Sequence, residues 1–204
     1  MNNLIYMEGI FPGTREELLN KVKKSVSERR YQHILGVEKA AVKIAKKNGY
    51  DCEKASIAAL VHDYAKERSN EEFKQKILDD NLDEDLLNWN NFIWHGVVGA
   101  EIIKEQLQIT DEEILNAVRR HTVGAVEMTL LDKIIYVADF VEQGRTFPDV
   151  EIARVLAYSD LNVAVGFEAK HTLEYLISSS SLVYPEAILA YNKWVVNKGE
   201  FNAK

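Results

Sequence analysis

Residues 52–63 read CEKASIAALVHD, and from Ala55 to Val61 almost every position is apolar. A helix with one apolar stripe lies on a surface, whereas one that is apolar nearly all round has to sit in the middle of a core. The rest of the chain must therefore supply helices that wrap it, and helix signals recur along the whole length. Thr14 with Glu17 has capping-box spacing and opens an amphipathic stretch to about residue 27. A second helix is predicted from about Arg29 to Asn48, stopped by Gly49, and Asp51 caps a third from Cys52 to about Asp63. Ser69 with Glu72 opens a short helix, and residues 88–91 read as a polar turn. One helix is then expected from about Phe92 to Leu107, and another, capped by Thr110 with Glu113, ending near His121. Residues 130–143 read as helical, 145–149 as a loop, 150–157 and 160–178 as helices, and Pro185 as the first residue of a last one. With only ten Gly and three Pro in 204 residues, and no convincing strand pairs, the expectation is an all-α bundle.

Composition narrows the function classes. The mixture of 47% hydrophobic and 28% charged residues is that of a globular protein, and no run approaches a membrane span of ~18 apolar residues. Cys52 is the only cysteine, so neither an internal disulfide nor a thiolate zinc site can form. The N-terminal stretch does not read as a signal peptide, and a cytoplasmic location is expected. A formal charge of −7 repels nucleic acid at long range but leaves a small phosphorylated substrate open, because local cations dominate at short range.

Four of the five histidines fall on inward faces. His33 shares a face with Val37, Ala40 and Ile44; His95 with Val98 and Ile102; His121 ends the stripe Ile114, Ala117, Val118; and Asp139 lies with Leu131 and Ile135. His62-Asp63 ends the most apolar helix. A single inward histidine is ordinarily a core residue bonded to a carbonyl, and Asp139 could pair with Arg119 or Arg120. Four inward histidines and two inward aspartates from separate helices are harder to accommodate, since burying them together costs several kcal/mol unless they are paired or hold metal. Imidazoles and carboxylates without thiolate suit iron, manganese or zinc. Six ligands exceed the need of one ion, which favours two, and Asp63 is the natural bridge.

The order His33, His62-Asp63, His95, His121, Asp139 resembles the H…HD…H…H…D signature of the HD superfamily of helical metallophosphohydrolases. The strings RRYQHILGV (29–37), ALVHDYAKE (59–67), WHGVVGAEI (94–102), RRHTVG (119–124) and LLDKIIYVADFVEQGR (130–145) narrow the likeness to the bacterial YqeK-like family of symmetrical diadenosine-tetraphosphate hydrolases, which carry a di-iron site. The resemblance covers roughly residues 14–195. It implies a single HD domain over 1–204, with its signature at 33–139 and a short N-terminal extension of ~13 residues. It further implies one ion on His33, His62, Asp63 and Asp139, the other on Asp63, His95 and His121, with a water or hydroxide between them attacking phosphorus. Asp63, Lys66 and Arg145 are then the expected catalytic groups. Lys66 and Arg145 would bind phosphate together with Thr122, and Lys133 and Arg30 are weaker candidates whose alternative is plain solvation. Gln143 stands where that family commonly has proline, which would loosen the turn presenting Arg145.

The expected reaction converts diadenosine tetraphosphate into two ADP. Competing readings are an HD enzyme acting on a nucleoside mono- or triphosphate or a guanosine alarmone, and a non-catalytic nucleotide-binding module. His171, outside the signature, is expected to be structural or exposed, and Trp89, Trp94 and Trp194 are expected to pack rather than stack on a base. Monomer and homodimer are both left open.

Overall fold

The computed structural model describes Tyr6 and residues 9–196. Most of the short N-terminal extension (1–5, 7 and 8) and residues 197–204 lie outside the described residues. The described part is all-α, with no strand. Its helices are α1 (Arg15–Ser25), α2 (Glu28–Lys47), α3 (Cys52–Val61), α4 (Asn70–Asp79), α5 (Asn91–Val97), α6 (Gly99–Leu107), α7 (Glu112–Arg120), α8 (Leu130–Val141), α9 (Val150–Ser159), α10 (Leu161–Ser178) and α11 (Pro185–Trp194). A 3₁₀ turn at Glu84–Asn88 precedes α5.

α3 takes the central place its composition demands: every residue from Ala55 to Val61 is buried. It is packed by α1, α2, α7 and α8, while α9, α10 and α11 build outward from α8. The caps account for most boundaries. Thr14 with Glu17, Ser69 with Glu72 and Thr129 with Asp132 form reciprocal capping boxes, and Asp51 accepts from the amides of Glu53 and Lys54. Pro185 sits in the first turn of α11, where its missing N–H costs nothing.

Three boundaries differ from the sequence reading. α3 ends at Val61, so His62 is its C-cap and Asp63 lies in the turn that follows. The cap of α7 is Asp111 rather than Thr110, its carboxylate accepting from the amides of Glu113 and Ile114. The helix expected over 92–107 is two, α5 and α6, meeting at Val98. The reason for that break is tertiary. A Cβ on Gly96 would lie 3.0 Å from the Val118 carbonyl of α7, and one on Gly99 would lie 3.2 Å from Ala65 Cβ, so two close approaches meet within four residues.

Of the N-terminal segment, Phe11 is buried, and the Tyr6 hydroxyl shares a hydrogen bond with Ser56. Ser56 in turn donates to buried Glu38 at 2.6 Å, and Arg15 donates to both oxygens of that carboxylate. This charged network locks α1 and α2 onto α3.

Candidate metal centre

α2, the end of α3, α5, the end of α7 and α8 each bring one part of the H…HD…H…H…D set to a common point. His62, Asp63, His95 and His121 are buried, and His33 and Asp139 are partly buried. Three of the four rings are oriented in the same manner. The Nδ1 of His62 donates to the Ala59 carbonyl (2.7 Å), that of His95 to Asn91 (2.6 Å) and that of His121 to Val118 (2.7 Å). Each carbonyl lies three or four residues back on the same helix. A neutral ring that donates from Nδ1 carries a bare lone pair on Nε2, and all three Nε2 atoms face the cluster.

Asp63 divides the cluster. Its Oδ2 lies 3.7 Å from His33 Nε2 and 3.5 Å from His62 Nε2, whereas its Oδ1 lies 3.4 Å from His95 Nε2 and 3.8 Å from His121 Nε2. Asp139 Oδ1 completes the first side, 3.0 Å from His33 Nε2. The ligand atoms of His33, His62 and Asp139 lie within 4.8 Å of one another, as do those of His62, Asp63 and His121.

The donor set fits metal ions. His33 Nε2 and His62 Nε2 are buried without a hydrogen-bond partner. His95 Nε2 and His121 Nε2 face each other at 3.0 Å, although both rings have committed their N–H to a carbonyl. Two lone pairs at that distance call for a cation. Burial would raise the Asp63 carboxyl, but the imidazoles of His62, His121 and His95 outweigh it and hold it well below the usual carboxylate range. Burial is likewise outweighed at Asp139 by Arg145 and His33. Burial, with the charge of Lys66, pushes His95 well below the ordinary histidine value. At neutral pH these carboxylates are thus ionised and His95 is neutral, as metal binding requires of them, whereas at His33 burial is outweighed by Asp139, which raises that ring.

The cations around the cluster are also in place. Arg30 Nη1 donates to Asp63 Oδ2 (2.7 Å), and Arg145 Nη2 donates to Asp139 Oδ1 (2.5 Å). Asp139 therefore pairs with Arg145 and with neither of the arginines weighed from sequence: Arg119 binds Glu101 and Glu112, and Arg120 binds Asp132. Lys66 Nζ sits over the His95 ring, 3.3 Å from Nδ1 and 3.2 Å from Nε2. Thr122 Oγ1 is buried and unpartnered beside it. Lys133 is not brought to the centre, for its ammonium binds Asn162 and lies over the Trp194 ring. The turn carrying Gln143 is closed despite the missing proline. Arg145 N donates to Glu142 O, and Arg154 Nη2 donates to the carbonyls of Glu142 and Arg145.

The family model for the HD domain matches residues 30–143. The chain belongs to the HD-domain family. Similar proteins include the symmetrical bis(5'-nucleosyl)-tetraphosphatase of Bacillus subtilis, 44% identical over 90% of this chain and 98% of that one. The protein of the same name from Staphylococcus aureus is 34% identical over 87% and 92%. A crystal structure from Clostridium acetobutylicum, described as a predicted HD superfamily hydrolase involved in NAD metabolism, superposes with a TM-score of 0.84 at 34% identity, over 90% of this chain and 97% of that one. The likeness to the tetraphosphatases spans the five strings quoted above, and an HD domain implies binding of divalent metal.

Two cavities reach the HD centre from different sides. A polar one of about 720 Å³ is lined by Arg29, Arg30, His33, Lys39 and Arg145. A more apolar one of about 480 Å³ is lined by Lys66, His95, Thr122, Phe92, Tyr175 and Tyr184. Phe92 and Tyr175 went unnoticed in the sequence, where an aromatic on a polar helix face carries no distinguishing pattern. The tryptophans pack as expected: Trp94 and Trp194 donate to the Leu86 and Ala125 carbonyls, and Trp89 meets Tyr184 edge-on. His171 lies among Phe140, Phe147 and Phe167.

Proposed function

We propose that this chain, as a single HD domain, hydrolyses diadenosine tetraphosphate and related dinucleoside polyphosphates symmetrically, giving two ADP. The observation that carries the reading is the division of six ligands by the two oxygens of Asp63, with one set on His33, His62 and Asp139 and the other on His95 and His121. The resemblance to tetraphosphatases supplies the substrate class. Two bound ions would lower the pKa of water and neutralise phosphoryl charge. Iron fits the nitrogen and oxygen donors, as do manganese and zinc.

The remaining residues bind and orient. A symmetrical substrate has two nucleotide halves, and the cluster has a cavity on its His33 side and another on its His95 side. Arg30 and Arg145 point from the first onto the aspartates, placed to take phosphate oxygens in bidentate fashion. Lys66 and Thr122, whose buried hydroxyl is unpartnered, line the second. Burial lowers the Lys66 pKa, yet the neighbouring Asp63 charge favours its ammonium form, which suits a group that meets an incoming phosphate. Water attack at one central phosphorus breaks its bond to the bridging oxygen, and that oxygen leaves with the second ADP. No described helix is long and apolar enough to cross a membrane, and a lone cysteine suits the reducing cytoplasm in which we place the enzyme.

The test is a product assay with metal-loaded protein and diadenosine tetraphosphate, separated by ion exchange. ADP as sole product, lost in the double variant His62→Ala, Asp63→Ala, supports the reading. AMP with ATP, or no turnover by protein carrying two ions, overturns it.

A further inference from the structure

His33 is held unlike the other three histidines. Their Nδ1 atoms donate to main-chain carbonyls of their own helices, whereas His33 Nδ1 lies 3.2 Å from Oε1 of Glu142, which is 109 residues away. Glu142 is buried at the C-cap of α8, three residues beyond Asp139. Its Oε2 accepts from the Gly144 amide at 2.5 Å, and Arg154 clamps the surrounding chain through the carbonyls of Val141, Glu142 and Arg145. The carboxylate is therefore fixed from behind.

Room for it is made by Gly36, in the interior of α2 and three residues after His33. A Cβ on Gly36 would lie 2.5 Å from Glu142 Oε2 and 3.2 Å from its Cδ, but 3.6 Å from its Cβ. Glycine is a poor helix residue, and Gly36 has no positive φ to require it. What the missing side chain leaves room for is the carboxylate.

We infer that Glu142 is a positioning residue for His33, and that Gly36 keeps the space in which Glu142 acts. This rests on the metal reading above. The carboxylate holds the His33 proton on Nδ1, turns Nε2 toward Asp139 and Asp63, and keeps the ring more basic than rings backed by neutral carbonyls. The two halves of the centre are consequently unequal: on the His33 side one ring is backed by a charge and His62 by a carbonyl, whereas both rings on the His95 side are backed by main-chain dipoles.

The experiment is a titration of metal-free protein with Mn²⁺, bound ion being read by equilibrium dialysis, alongside the melting temperature of the metal-free protein. Wild type is expected to bind two ions. Glu142→Ala should weaken one of them by about 10–100-fold and leave the other unchanged. Glu142→Gln keeps an acceptor for Nδ1 and should recover part of the loss. Gly36→Ala, which touches no ligand, should reproduce the loss by displacing the carboxylate. Added to Glu142→Ala it should cost nothing more, because only the 3.6 Å contact then remains. Unchanged binding in Glu142→Ala or Gly36→Ala, equal weakening of both ions, or additive losses in the double variant overturns the inference. Should Glu142→Ala fail to fold, the Gly36→Ala and Glu142→Gln variants decide. A wild type that binds no Mn²⁺ would instead remove the metal reading on which the inference stands.

Discussion

At the scale of single residues, a side chain's worth to the centre depends on what else its atoms are committed to. His62 and His121 are useful because their Nδ1 atoms are engaged, which leaves Nε2 bare. Glu168 of α10 is the opposite case. It is buried, its Oε2 has no hydrogen-bond partner, and burial together with the Asp139 charge pushes its carboxyl well above the ordinary value of 4.5. In the unfolded chain the same group loses its proton near that ordinary value. Between the two pKa values the native state holds more protons than the unfolded one, so stability is fully present below about pH 4.5 and is lost as pH rises through the native pKa. Glu168→Gln removes this loss. In metal-free protein the variant should melt a few degrees above wild type at pH 8, and the difference should shrink to nothing near pH 4. Melting curves of both proteins across that range check it, and a difference independent of pH would show that Glu168 is not held protonated.

At the scale of elements, most of the fold and the convergence of the six candidate residues were legible in the sequence, because both follow from local rules. Capping boxes mark where α1 and α4 begin, and the helical period shows which way His33, His95 and Asp139 point. The break between α5 and α6 was not legible. Phe92 to Leu107 has an uninterrupted helical pattern, and the close approaches at Gly96 and Gly99 exist only in the packed molecule. Glu142 was missed for a related reason: its partners His33 and Gly36 lie more than 100 residues away in sequence. The close approach at Gly96 can be tested directly. A Cβ there meets the Val118 carbonyl at 3.0 Å and His121 Cε1 at 3.5 Å, so Gly96→Ala must push α5 away from α7. Overpacking of this kind costs about 1–3 kcal/mol, against roughly 0.5–1 kcal/mol gained from better helix propensity. Urea denaturation should therefore show a net loss of stability, where an exposed helical Gly→Ala exchange would show a gain.

At the scale of the molecule, the centre spans residues 33 to 139 and draws on five segments that have little else in common. In the unfolded chain these ligands are far apart, so ions bind the native state almost exclusively and their binding energy becomes folding energy. At free metal 100-fold above the dissociation constant, one site adds about 2.7 kcal/mol. For a chain of this size each kcal/mol moves the melting temperature by about 2–4 °C. A chelator should thus lower the melting point of loaded protein by roughly 5–11 °C per ion removed, and Mn²⁺ should restore it. The His62→Ala, Asp63→Ala variant should melt at one temperature with or without metal, because Asp63 serves both halves. Were wild type equally indifferent, its histidines would need another source of cohesion. Among the described residues, the positive groups that touch the cluster are Arg30, Lys66 and Arg145, each of which also lines a cavity. On the proposed reading these three cations turn to phosphate during turnover and cannot also hold the centre together, so that load would fall to metal.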